Sequence, residues 1–170
     1  EKSIGMGGLS CHFAPFIVRN NVLSRCTYKS DTGTCGVAFL SYGEPNTQNK
    51  YYTSEMYNCI IENLEDHGSP DQCAIDFEDD FHNLNIRDCA FINNAGAAIE
   101  FLDDTKYSTG INIENCYFYK NNYTKYHGFK SEISVIETGV LDLTKNPWVK
   151  IGDPKGGRHT VTFKNIEWVP

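Results

Sequence analysis

The chain lacks several things, and each absence removes a class of function. No apolar run approaches the roughly 18 residues of a membrane-spanning helix. Basic residues are in deficit: 15 Lys and Arg stand against 22 Asp and Glu, for a net charge of −7. That balance argues against nucleic acid or an anionic membrane as partner, and only the short Lys155–Arg158 stretch clusters positive charge. There is no Cys-x-x-Cys pair, so the common zinc-site spacing is missing. Gly156-Gly157-Arg158 lacks the rest of a phosphate-binding loop and reads as a turn. Residues 1–15 carry no basic segment followed by an apolar one, and the first residue is Glu1. We therefore expect residues 1–170 to be a single domain, a module taken from a larger protein. Helical periodicity is also absent, while turn pairs such as Asn93-Asn94 and Asn121-Asn122 punctuate the chain.

What is present is a repeat. Five segments align: Ile17-Val18-Arg19-Asn20-Asn21-Val22-Leu23, Glu55-Met56-Tyr57-Asn58-Cys59-Ile60-Ile61, Asn85-Ile86-Arg87-Asp88-Cys89-Ala90-Phe91, Asn112-Ile113-Glu114-Asn115-Cys116-Tyr117-Phe118 and Thr162-Phe163-Lys164-Asn165-Ile166-Glu167-Trp168. Asn or Asp holds the fourth place of each, and an apolar residue closes it. The fourth places are separated by 38, 30, 27 and 50 residues, the last interval being long enough for two coils. Short β-rich segments recurring at coil length predict a solenoid of stacked rungs. A second strand recurs as well: Cys73-Ala74-Ile75-Asp76-Phe77-Glu78-Asp79-Asp80 aligns with Ala97-Ala98-Ile99-Glu100-Phe101-Leu102-Asp103-Asp104, and Cys35–Leu40 is a weaker copy. The fold expected is all-β, a right-handed parallel β-helix of about five to six coils.

Side chains alternate between the faces of a strand. Ile75, Phe77, Ile99 and Phe101 are expected inside, with Cys59, Cys89 and Cys116 stacked inward as small buried thiols. Seven cysteines leave at least one unpaired if the others form disulfides. Cys26 and Cys35 bracket a polar loop, and a disulfide there would imply an oxidising compartment; free thiols are the alternative.

The runs Asn115-Cys116-Tyr117-Phe118-Tyr119-Lys120-Asn121-Asn122 and Cys73-Ala74-Ile75-Asp76-Phe77-Glu78 resemble the β-helix repeats of the pectate-lyase-like superfamily. The resemblance covers roughly residues 10–140 and returns at 160–169. It implies a polysaccharide or oligosaccharide partner and a secreted or cell-surface setting. That superfamily holds lyases and glycoside hydrolases as well as binding modules, so fold alone does not choose among them.

With Ile75 and Phe77 inside, Asp76 and Glu78 face outward and Glu100 lies one rung from Asp76. Like charges about 5 Å apart repel by roughly 0.8 kcal/mol in water. Solvation, a shared proton, nearby Arg87 or Lys106, or Ca²⁺ held by Asp79, Asp80, Asp103 and Asp104 would each offset this. Retaining glycosidases hold two carboxyl groups about 5–5.5 Å apart, which makes Asp76 and Glu100 the catalytic pair of a hydrolase reading. Ala74, Ala98, Gly36 and Ala38, as small outward neighbours, would leave room for a sugar. A Ca²⁺-dependent lyase would need a base, for which Arg87, Lys106, His82 and His67 are candidates without a clear column.

Aromatic platforms complete a sugar site. Alternation turns Tyr117 and Tyr119 outward; Tyr107 falls near the acidic patch; Trp148 lies in an irregular stretch; Trp168 is assigned to the core. Asn122-Tyr123-Thr124 is a formal glycosylation sequon. The expected ligand-binding residues are thus Asp76, Glu78, Glu100, Tyr107, Tyr117 and Trp148. Few long loops are available to wall a catalytic cleft. The first expectation is therefore a non-catalytic carbohydrate-binding module, monomeric and tethered to a catalytic domain. By the same resemblance, its ligand is a plant cell-wall polysaccharide, xylan first.

Overall fold

The structure, a computed structural model, describes residues 9–12, 16–25, 35–40, 53–65, 73–77, 82–101, 109–121, 123, 150–151 and 161–169. Among the described residues, the strands form three parallel sheets of five strands each. The first holds β1 (Leu9–His12), β4 (Cys35–Leu40), β7 (Cys73–Phe77), β10 (Ile99–Phe101) and β13 (Lys150–Ile151). The second holds β2 (Ile17–Arg19), β5 (Ser54–Tyr57), β8 (His82–Arg87), β11 (Thr109–Glu114) and β14 (Val161–Lys164). The third holds β3 (Val22–Ser24), β6 (Ile60–Glu62), β9 (Ala90–Ile92), β12 (Tyr117–Tyr119) and β15 (Glu167–Val169). The chain visits the three sheets in turn and pairs each strand with the one three elements earlier. Among the described residues this is a parallel β-helix of five rungs.

The repeat is finer than the sequence pattern suggested. Each aligned segment is not one strand but two, broken at its fourth place. Asn20, Asn58, Asp88, Asn115 and Asn165 have φ of 56°, 51°, 54°, 52° and 50°. Most L-residues resist this left-handed conformation, whereas Asn and Asp tolerate it because their short polar side chains bond locally. The main-chain N–H of Asn58, for instance, donates to Arg87 O at 3.3 Å and that of Asn115 to Lys164 O at 3.0 Å, so the corner stays inside the inter-rung ladder. The corner side chains stack in solvent: Asn58 Nδ2 donates to Asn20 Oδ1 at 2.7 Å, Asn115 Nδ2 to Asp88 Oδ1 at 3.3 Å and Asn165 Nδ2 to Asn115 Oδ1 at 3.0 Å.

The residue after four of the five corners turns inward, whereas Asn21, after the first, is exposed. Cys59, Cys89, Cys116 and Ile166 are buried there, as expected for the three cysteines, and all three are free thiols. Each Sγ donates to the carbonyl two residues earlier, at 3.2 Å for Cys59 and Cys89 and 3.3 Å for Cys116. The neighbouring Cys116 thiol and burial push the Cys89 thiol up, and burial does the same for Cys59. The rest of the core is columnar. Val18, Met56, Ile86, Ile113 and Phe163 occupy successive rungs of the second sheet. On the third, Phe91 and Phe118 stack with centroids 4.8 Å apart. Ile75 and Ile99 are buried in the first sheet.

A second set of left-handed corners follows the third sheet, at Arg25, Asn63, Asn93 and Lys120. Behind it runs a buried amide ladder. Asn94 Nδ2 donates to Ile61 O at 3.1 Å and to Asn121 Oδ1 at 2.8 Å, Leu64 N donates to Asn94 Oδ1 at 3.2 Å, and Asn121 Nδ2 donates to Phe91 O at 3.0 Å. These pairings satisfy amides that would otherwise be costly to bury.

Two expectations are corrected. The 50-residue interval does not hold two coils: Ile111, Asn112, Ile113 and Glu114 pair directly with Val161, Thr162, Phe163 and Lys164, so it is one coil with a long insertion. Ala74 and Ala98 do not flank an open surface. Both are fully buried within the apolar core, Ala74 on β7 beside the buried Ile75 and Ala98 just before β10, beside the buried Ile99. Strands enclosed on both sides lose the in-and-out alternation on which that expectation rested.

Candidate functional site

Parallel register converts the repeat into columns of outward side chains, one residue per rung about 4.8 Å apart. On the third sheet the columns are Val22, Ile60, Ala90, Tyr117, Glu167 and Ser24, Glu62, Ile92, Tyr119, Val169. This outer face is mainly apolar, with Val22 and Ile60 exposed. The half-buried rings of Tyr117 and Tyr119 stand side by side on β12, 6.0 Å between centroids and 16° from parallel. Lys120 Nζ lies 5.0 Å from the Tyr119 centroid. The expected outward direction of both tyrosines is therefore met, and their rings form one tilted platform.

The outer face of the second sheet is polar. One column reads Ile17, Glu55, Asn85, Asn112, Thr162 and the other Arg19, Tyr57, Arg87, Glu114, Lys164. The second is internally bonded. Arg19 Nη1 donates to Tyr57 Oη at 3.3 Å, the Arg87 guanidinium lies 4.1 Å from the Tyr57 ring centroid, and Lys164 Nζ pairs with Glu114 Oε1 at 2.6 Å. Arg87 also meets Asp88 at 3.1 Å and Glu55 at 3.8 Å. Between the two columns lies a groove of about 280 Å³.

On the first sheet, Asp76 pairs in register with Glu100, so the two acidic positions occupy neighbouring rungs as read from sequence. Glu100 pairs in turn with Lys150. Lys150 is a position that sequence reasoning missed, because it returns to this column only after the long insertion and no repeat signal surrounds it. The side chains of Asp76 and Glu100, like residues Glu78, Asp79, Asp80, Asp103, Asp104, Tyr107 and Trp148, lie outside the described residues. So do His67, Lys106, Cys26 and Asn122, and the Trp168 side chain. Among the described residues no group of three or more His, Cys, Asp or Glu is arranged to hold a metal ion. The register thus brings Tyr117 together with Tyr119, and Asp76 with Glu100, but on different sheets. Comparison with protein-family models, with curated proteins and with solved structures finds no match to this chain.

Proposed function

We propose that this chain is a non-catalytic module that binds an extended, neutral cell-wall polysaccharide, with xylan the first ligand to test, in a secreted setting. The observation that carries the reading is the Tyr117–Tyr119 platform on the outer face of the third sheet. Two adjacent rings presented on a rigid strand offer apolar area at low entropic cost, with hydroxyl tips able to bond the ligand. Stacked rungs add repetition along one direction, which suits a repeating linear polymer. The outer strip spans five rungs, about 20 Å, and only three residues of each strand, about 7 Å. Such an area is far below the roughly 800 Å² per partner of a stable protein interface.

A hydrolase reading has one observation in its favour, the Asp76–Glu100 register at one-rung spacing. Burial of Ala74 and Ala98 beside that pair weighs against an open sugar site there. The two readings separate by experiment. In affinity electrophoresis through soluble xylan, the binding reading predicts retardation, weaker retardation in Tyr117→Ala/Tyr119→Ala, and no oligosaccharide products after prolonged incubation. Product formation that disappears in Asp76→Asn would overturn it in favour of the hydrolase.

A further inference from the structure

We infer that the groove on the outer face of the second sheet is a second, separate contact site, taking a neutral sugar ring of the polysaccharide edge-on. The inference rests on the carbohydrate reading above but uses different residues and a different sheet. One wall is Asn85, Asn112 and Thr162, the other Arg87, Glu114 and Lys164, and the main chain at Ile86 and Ile113 forms the floor because their side chains are buried inside. The walls are two residues apart along each strand, about 7 Å, and span three rungs, about 10 Å. That width rejects an α-helix, whose diameter with side chains is about 10–12 Å. A β-strand on the groove floor is rejected too, because β8, β11 and β14 pair with one another there, and the outer edge of β14 ends the sheet beside the groove rather than within it.

The hydrogen-bonding inventory points to hydroxyl groups. Asn112 Nδ2 donates to Asn85 Oδ1 at 2.9 Å, which fixes both amides. This leaves the Asn85 amino group, Asn112 Oδ1 and the Thr162 hydroxyl facing the groove without a further partner among the described residues. Across it, the second Glu114 oxygen and the remaining Lys164 N–H groups are available beside their mutual ion pair. Each wall therefore mixes donors and acceptors at rung spacing. A sugar hydroxyl, which both donates and accepts, fits such a lining better than a group of one kind.

Charge decides against ionic ligands. Arg87 is compensated by Asp88 and Glu55, and Lys164 by Glu114. An anion would have to displace carboxylates from these pairs, and a cation would meet Arg87 and Lys164. The ion pairs serve to hold long side chains in place, so their polar groups are oriented before the ligand arrives.

The test is isothermal titration calorimetry with xylohexaose and with de-esterified polygalacturonate, on wild type, Asn112→Ala and Tyr117→Ala/Tyr119→Ala. Both altered sites are on the surface, and equal melting temperatures confirm intact folds. Expected are two xylohexaose sites in wild type and no binding of polygalacturonate. Asn112→Ala should retain one site, with the other weakened at least tenfold, and the double tyrosine variant should lose the opposite one. Unchanged binding by Asn112→Ala, together with loss in the tyrosine variant, overturns the groove site and leaves the polysaccharide reading standing. Preference for polygalacturonate overturns the neutral-ligand assignment. Absence of xylohexaose binding to wild type, with retention on no other neutral glycan of an array, overturns both.

Discussion

At the residue scale, one alternation explains the Asn-Cys dipeptide. The first member adopts a left-handed φ and stays in water; the second turns into the core, where Ile166 takes the equivalent place in the last rung. The buried amides behind the other corner carry more energy. Replacing Asn94 by Ala removes the acceptor of the buried Leu64 N–H and a donor to Ile61 O and Asn121 Oδ1. An orphaned buried group costs about 1–3 kcal/mol before relaxation, so we expect Asn94→Ala to lower unfolding free energy by about 2 kcal/mol in urea melts. A loss below about 1 kcal/mol would mean that water replaces the ladder. The thiols make a pH prediction. Cys89 is raised in the folded state by the neighbouring Cys116 thiol and by burial, so the unfolded chain loses that proton first. The associated stability is fully present below the unfolded value of about 8.5 and declines as pH rises beyond it, by at most about 1.4 kcal/mol per pH unit for one thiol. Urea midpoints between about pH 7 and 9.5 should fall less in Cys89→Ala than in wild type; equal slopes would contradict the assignment.

At the element scale, the strands are too short to stand alone and are fixed by neighbours one rung away. Much of this was legible in sequence. The recurrence of Asn or Asp before Cys gave the stack, the inward cysteines and the outward tyrosines. The corner itself was not legible, because a left-handed residue inside a seven-residue β-like run leaves no trace in hydrophobic alternation. Nor was the direct pairing of β11 with β14, since an insertion lengthens a coil without altering either strand it joins. The direct pairing predicts that Glu114→Cys with Lys164→Cys, a register pair, oxidises to a disulfide. Neighbouring rungs fall within the roughly 4.4–6.8 Å Cα range of a disulfide, whereas an intervening coil would double the spacing. Peptide mapping should recover the 114–164 link, and closing that loop should add about 4 kcal/mol of stability by chain-entropy arguments. A failure to cross-link under oxidation would restore the two-coil interval.

At the scale of the whole molecule, the three sheets differ. The outer face of the second is polar and self-paired and that of the third is apolar and aromatic, while on the first the backbone register puts positions 76, 100 and 150 in one column. The candidate site was only half legible for the same reason. Acidic residues announce themselves in a sequence, so Asp76 and Glu100 drew the eye first. A platform such as Tyr117–Tyr119 is distinguished from core aromatics only by the phase of its strand, and the polar groove exists only once three distant segments lie side by side. The measurement that bears most directly on the proposed function is an amide NMR titration of the ¹⁵N-labelled chain with xylohexaose. The account predicts two sets of dose-dependent shifts, one on β12 and its neighbours β9 and β15 and one on the groove strands β8, β11 and β14, with the sugar recovered uncut. Shifts confined to β7 and β10 around Asp76 and Glu100, or cleavage of the sugar during the titration, would contradict it.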